Sequence, residues 1–432
     1  MISFVQLNLN KHQDHLPRLT MSSGVGLNAF FVFLGLAPLA KDFFPSKQSA
    51  HTVVRVSAGL AQAGDGAANT GGHAPNIALF DPNGARLGFM SAEKQGIIKE
   101  GNFKDISVEH MDSSNNKPAE YVALTSGGTD AICIAYLMIT WASGDNFQFF
   151  GDIGRTCGGK WYPSNLPVPN DNDKQFTPSC MWIDSPDPGT GNEFAYGFSF
   201  HAKDFGTSKT RAAGYQATPD SLCKSLPRFH LWGAELTSEL QCIPIFDPPI
   251  AYQVDGSDPA DLTTIINNPG KVNCAPGPNV RPTMQDIAKL YRKVSMKTGW
   301  VSTYGTKKRS TVAKHTAGFD FCKDNRLVVS EWHGHSAQDV CTDPNSRGPD
   351  FISSKEGLYC DMCNRVLYDL CSTTLKTGCF DLSSHTLKPG QTTNLRKMEA
   401  LPPVLLQTGR VEHSAVLFIG DPLDEVSHYT AR

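Results

Sequence analysis

Twelve cysteines constrain this 432-residue chain more than any other feature: Cys133, Cys157, Cys180, Cys223, Cys242, Cys274, Cys322, Cys341, Cys360, Cys363, Cys371 and Cys379. None precedes residue 133, and the number is even. In an oxidising compartment such a set is most simply read as six disulfides. Each closed loop stabilises by roughly 2–4 kcal/mol, mainly by restricting the unfolded chain. Spacing alone leaves the connectivity open. Zinc is the rival reading, through Cys360-Asp-Met-Cys363 with Cys371 and Cys379. Zinc ribbons use two C-x₂-C units, whereas Cys371 and Cys379 are separated by seven residues, so disulfides are preferred and no metal or cofactor is expected.

The N-terminus supports the same compartment. Residues 25–40 form an apolar run, interrupted by Asn28 and Pro38, that ends in small residues. It is too short to span a bilayer and fits a secretory h-region. Gly35 and Ala37 suit the −3 and −1 positions, and cleavage after Ala40 is the other option. Residues 1–40 are thus a signal region, with Met21 as an alternative start. No later run approaches 18 apolar residues, so no membrane span is expected. No Asn-x-Ser/Thr sequon occurs. The chain is expected to be secreted and extracellular.

Residues 41–72 read as a flexible Ala/Gly/Ser-rich leader, with one early strand at Thr52–Val56. From His73 onward, short apolar runs alternate with turn signals, as in a β-sandwich. Candidate strands are Asn76–Phe80, Ala85–Phe89, Phe103–His110, Tyr121–Thr125, Ala131–Trp141, Asn146–Phe150, Met181–Asp184 and Phe194–Phe200. The Asp81-Pro82-Asn83-Gly84 tetrapeptide predicts a tight hairpin turn. Ile132–Leu137 is apolar throughout, as a central strand buried on both faces requires. After Phe205 the strand rhythm fades. A short helix is expected from Thr218-Pro219-Asp220, and a longer one over Thr283–Lys297. The fold class is mainly β: a disulfide-stapled β-sandwich over 73–205, an irregular cysteine-rich α+β region over 206–387 packed on it, and a poorly ordered tail over 388–432.

Several strings occur in combination: Gly72-His-Ala-Pro-Asn-Ile77, Thr129-Asp-Ala-Ile-Cys-Ile-Ala-Tyr136, Phe150-Gly-Asp-Ile-Gly-Arg-Thr-Cys157 with Trp161-Tyr162, Cys180-Met-Trp-Ile-Asp184, His201-Ala-Lys-Asp-Phe205, Gly348-Pro-Asp-Phe351 and Glu356-Gly-Leu-Tyr-Cys-Asp-Met362. Together they resemble a family of secreted, effector-like proteins of filamentous ascomycete fungi. The resemblance covers roughly residues 72–385. It implies an extracellular role linked to virulence, and carries over no catalytic residue, because that family has no established activity.

The candidate chemistry is sparse. Charged residues make up 19 % of the chain and the net charge is −3, which excludes a globally basic nucleic-acid binder. Gly151–Gly159 is glycine-rich but lacks the Gly-Lys-Ser/Thr end of a phosphate loop, so a turn tied by Cys157 is expected. His333 and His335 would share one face if they lay on a strand, as metal ligands do. Serines with His201, His230, His333 and Asp152 supply the residue types of a catalytic triad, though no Gly-x-Ser-x-Gly elbow occurs. A chain cut after Ala50 would begin with His51, a copper-chelating terminus, but the other motifs of such enzymes are absent. Asp184–Asp187 and Asp255–Asp258 are acidic turns with oxygen ligands for Ca²⁺, off the EF-hand spacing.

Between Arg281 and Lys314 nine Lys/Arg face one acid, Asp286. Lys289, Arg292, Lys293, Lys297, Lys307, Lys308 and Arg309 form a candidate anion-binding patch. Lys308-Arg309 also resembles a secretory-pathway processing site. Trp141, Phe147, Phe149, Trp161, Tyr162 and Trp182 would stack on sugars if exposed, and form core if buried. The expected function is non-catalytic extracellular binding, to a polysaccharide or a host surface protein. The alternative is a secreted hydrolase of extracellular polymers.

Overall fold

A computed structural model describes residues 41–60, 69–112, 117–168, 177–185, 194–205, 214–215, 220–233, 242–250, 271–274, 322, 324–388 and 415–419. Strands are numbered in chain order. The first sheet runs β10 (Trp161–Tyr162), β11 (Cys180–Ile183), β8 (Ile132–Thr140), β1 (His51–Ala58), β6 (Phe103–Glu109), and β9 (Asn146–Phe150) also pairs with β8. The second runs β13 (Phe229–Trp232), β12 (Gly197–His201), β7 (Tyr121–Thr125), β3 (Asn76–Phe80), β4 (Arg86–Met90). Every pairing within these two sheets is antiparallel. Two-stranded ribbons add β2 (Gly72–His73) with β5 (Ile97–Ile98), and β14 (Cys242–Ile245) with β15 (Lys271–Cys274).

The two large sheets enclose one core. Val54, Ile139 and Phe149 of the first meet Leu79, Leu124 and Phe198 of the second. Phe149 sits at its centre, stacked on Phe198, Phe200 and Phe229 at ring distances of 5.0, 4.7 and 5.6 Å. β8 is buried along its whole length, because strands flank it and its other face is covered as well.

That cover is a third sheet, ordered β19 (Val366–Asp369), β18 (Leu358–Asp361), β17 (Asp350–Ser353), β16 (Arg326–Ser330), β22 (Ala415–Ile419). Here β16 pairs in parallel with both β17 and β22. A hairpin of β20 (Cys379–Asp381) and β21 (Thr386–Lys388) packs beside it through Phe380, whose ring lies 4.0 Å from that of Tyr359. Among the described residues the helices are short: α1 (Gly151–Thr156), α2 (Asp220–Cys223) and α3 (Ala337–Thr342). Ser336 caps α3 by accepting the Asp339 N–H at 3.0 Å. Among the described residues no helix is long and apolar enough to cross a membrane.

The chain is therefore mainly β and stapled by cystines, and several expected boundaries move. The 41–72 leader contains β1, which lies between β8 and β6 at the heart of the first sheet. Its Val53, Val54 and Val56 are fully buried, so the sandwich begins at His51 and not at His73. At the other end β13 pairs with β12, so the sandwich extends past residue 205. The 388–432 tail contributes β22, held by backbone pairing to β16. Gly151–Thr156 forms α1 in place of the expected turn. The 1–40 signal region, the Thr283–Lys297 helix, Asp187, Asp255–Asp258 and the whole basic patch from Lys289 to Arg309 lie outside the described residues.

The Asp81–Gly84 turn forms as its residue types require. Gly84 takes φ +76°, which a Cβ would strain, and its N–H bonds the Asp81 carbonyl at 2.9 Å. The Asp81 carboxylate accepts the N–H groups of Asn83 and Ala85, each at 2.9 Å, and meets Lys117 at 3.2 Å. Asp81→Ala is expected to cost about 2 kcal/mol, because two amides lose a charged acceptor. A urea midpoint unchanged from wild type would contradict that role.

Candidate functional site

Ten of the twelve cysteines form five disulfides: Cys133–Cys180, Cys157–Cys223, Cys322–Cys363, Cys341–Cys360 and Cys371–Cys379. The other two, Cys242 and Cys274, are register partners across β14 and β15. Cys133–Cys180 ties neighbouring strands β8 and β11. Cys157–Cys223 fixes α2 to the end of α1. This matters because α2 leads into β13, and β13 frames the densest charge cluster in the described fold.

That cluster sits at one end of the second sheet. Glu120 precedes β7, His201 ends β12, Asp204 lies in the 3₁₀ turn Ala202–Phe205, and Arg228 precedes β13. Adjacent antiparallel strands bring these four sequence-distant positions to the same edge. The backbone bonds His201 N–H to Arg228 C=O (3.0 Å) and Ala202 N–H to Glu120 C=O (2.7 Å) hold the register. Glu120, His201, Asp204 and Arg228 are each at most 3 % exposed.

The side chains complete one connected network. His201 Nδ1 lies 3.0 Å from Asp204 Oδ2, and its Nε2 lies 3.3 Å from Glu120 Oε2. Tyr215 donates its hydroxyl to Asp204 Oδ1 at 2.7 Å, and Arg228 Nε approaches the same oxygen at 3.3 Å. Lys203 donates to Glu120 Oε1. The rings of Tyr121 and Phe246 wall the imidazole at 4.8 and 5.5 Å. Burial disfavours the His201 imidazolium, but the charge and hydrogen bond of Asp204, then those of Glu120, outweigh it and raise the pKa. Burial likewise disfavours the Glu120 carboxylate, yet His201 and Lys203 hold it below its ordinary value.

This geometry defines what His201 does. A general base needs one ring nitrogen with a free lone pair. Here both nitrogens face carboxylates, so both donate, and the ring is a buried cation between two anions. It orders the sheet end and does not take a proton from a serine.

The other expected triad members are not assembled with it. Asp152 sits on α1 and accepts the Ser179 N–H at 3.0 Å; burial pushes its pKa up to about 6, against the opposing pull of Arg155. His230 lies on β13, edge-on to Trp232 at 4.2 Å, and burial lowers its pKa to about 3. His333 is exposed in the turn after β16, whereas His335 is buried, so the two do not share a face as metal ligands would. His335 donates from Nε2 to the Ser164 carbonyl (2.8 Å), which leaves Nδ1 to accept the Ser330 hydroxyl (2.7 Å). Burial lowers its pKa to about 4 and keeps this neutral tautomer. His51 opens β1, its Nδ1 2.7 Å from the Ser49 carbonyl.

The aromatic residues are core and not a sugar platform. Trp141, Phe149, Trp161, Tyr162 and Trp182 are buried, and Phe147 is half-buried against Trp141 at 4.2 Å. Glu120, Asp204, Tyr215 and Arg228 escaped the sequence reading. The available signal was a charged residue directly beside an apolar strand, at Glu120-Tyr121 and Arg228-Phe229, together with the His201–Phe205 string. No protein-family model matches the chain, and no curated protein matches it either.

Proposed function

We propose that this is an extracellular, effector-like protein that binds a polysaccharide or surface protein at the host or cell wall without catalysing a reaction. The observation that carries the reading is His201, whose two ring nitrogens are both committed to buried carboxylates. The five disulfides support the extracellular setting, since such bonds persist where the environment is oxidising. The fungal, secreted, effector-like part of the reading rests on the resemblance of residues 72–385.

The test incubates the secreted full-length protein with insoluble chitin, β-glucan and pectate, and follows both depletion of protein and release of reducing ends. Retention on a polymer with no release is the expected result. Sustained release of reducing ends would replace this reading with a hydrolase.

A further inference from the structure

The disulfides divide the chain into two sets that do not mix. Cys133–Cys180 and Cys157–Cys223 lie before residue 275, as do the register partners Cys242 and Cys274. Cys322–Cys363, Cys341–Cys360 and Cys371–Cys379 all lie after residue 321. The chain that joins the sets carries Lys307-Lys308-Arg309, a basic run of the kind secretory endoproteases cut. We propose that the C-terminal cystine unit is held on the sandwich without a covalent cross-link, so that scission between Cys274 and Cys322 leaves an intact two-chain protein.

The contact between the two parts has the character of a core. The outer face of the first sheet, through Ala135, Met138 and Trp182, packs with Val328, Val340 and Phe351 in one buried cluster. The polar groups within it are matched across the boundary. Trp161 donates its indole N–H to Asp343 at 2.7 Å, Trp182 donates to the Arg347 carbonyl at 2.9 Å, and Tyr162 donates to the Pro349 carbonyl at 2.9 Å. Arg155 pairs with Asp339 at 3.0 Å, and its guanidinium lies 3.6 Å from the Trp161 ring centre. Main chain joins as well: Trp161 N–H reaches Asn345 C=O at 3.1 Å, and Arg347 N–H reaches Trp161 C=O at 2.8 Å. At Gly348 a Cβ would stand 2.3 Å from the Tyr162 ring, so the two chains pack as closely as glycine allows. A large apolar contact with matched polar groups is what obligate subunits use to stay together.

This inference is independent of the proposed function. The test replaces Lys307-Lys308-Arg309 in the full chain with the recognition sequence of a site-specific viral protease. Cleavage is taken to completion on a reducing gel. The expected result is two bands on a non-reducing gel and one size-exclusion peak at the uncut elution volume. Two separate peaks, or aggregation on cutting, would overturn the proposal, and so would a single band that splits only on reduction. Trp161→Phe removes the bond to Asp343 and keeps the ring. In the cut protein it is expected to lower the urea concentration at which the halves part, and equal values for wild type and variant would sink this assignment of the interface.

Discussion

Asp204→Ala is expected to cost about 3–5 kcal/mol, enough to abolish folding of a marginally stable chain. Asp204 carries no exposed surface and is shared by three partners: His201, Tyr215 and Arg228. Removing it leaves two cations in a site built for compensated charge, and a buried charge without its partner costs far more than the pair contributed. Glu120→Gln is expected to cost less, because Lys203 is 34 % exposed and water screens it. The comparison is made by urea denaturation of the purified protein, with yield as the second readout. If Asp204→Ala matched wild type in both, the network would not be holding the end of the second sheet.

The second large effect is acid unfolding driven by two neutral histidines. His230 and His335 are 8 % and 6 % exposed, with pKa values lowered to about 3 and about 4. A histidine whose folded pKa is depressed contributes its full stability above the unfolded value near 6.5, and loses it as pH falls toward the folded pKa. Each pH unit in that window removes about 1.4 kcal/mol per histidine, so pH 4 costs about 7 kcal/mol for the two together. Asp152 acts in the opposite sense. Its folded pKa is raised to about 6, so protonation restores stability as pH falls below that value. At full weight this amounts to about 3 kcal/mol, and less for a half-buried group that water screens. The histidines win.

The charge network shapes both flanks of the same curve. Glu120, with its lowered pKa, keeps its contribution above 4.5 and loses it at more acid pH. His201 runs the other way: its raised pKa gives a contribution that is complete below 6.5 and lost as pH rises through the folded value. The urea midpoint is therefore expected to be highest near or slightly above pH 6.5 and to fall steeply toward pH 4. His335→Gln and His230→Phe should each flatten that acid slope. Equal slopes for wild type and both variants would remove the histidines as its cause. Protonated His335 gives up its acceptor bond from Ser330, which lies within the C-terminal part, and keeps its donor bond to the Ser164 carbonyl.

Local rules made much of the fold legible. Alternating apolar runs placed β3, β6, β7, β8 and β9 to within a residue or two, because strand periodicity is a property of neighbouring residues. Asp81-Pro-Asn-Gly84 made its hairpin for the same kind of reason: φ preferences and a short carboxylate act over four residues. Cysteine count and parity gave the stapled class. By contrast, the early strand at Thr52–Val56 gave no sign that β1 sits inside a sheet, and β22 was not legible at all, because each is placed by strands far along the chain. β22 pairs with β16 some ninety residues earlier.

The charge network lay further out of reach. Glu120, His201, Asp204 and Arg228 are separated by up to 108 residues and meet only because β7, β12 and β13 stand side by side. Whether His201 is a base or a cation depends on which atoms face its two nitrogens, and pairing order in the sheet sets that. The same holds for the disulfides: composition gave an even cysteine count, and the two sets that never cross residue 309 appear only once the chain is folded. Sequence alone determined the mainly β class and the local turns, since strand periodicity and turn geometry rest on interactions between near neighbours. Tertiary structure decided register, charge pairing and cystine connectivity, since each depends on contacts whose cost in chain entropy is met only when the whole sheet assembles.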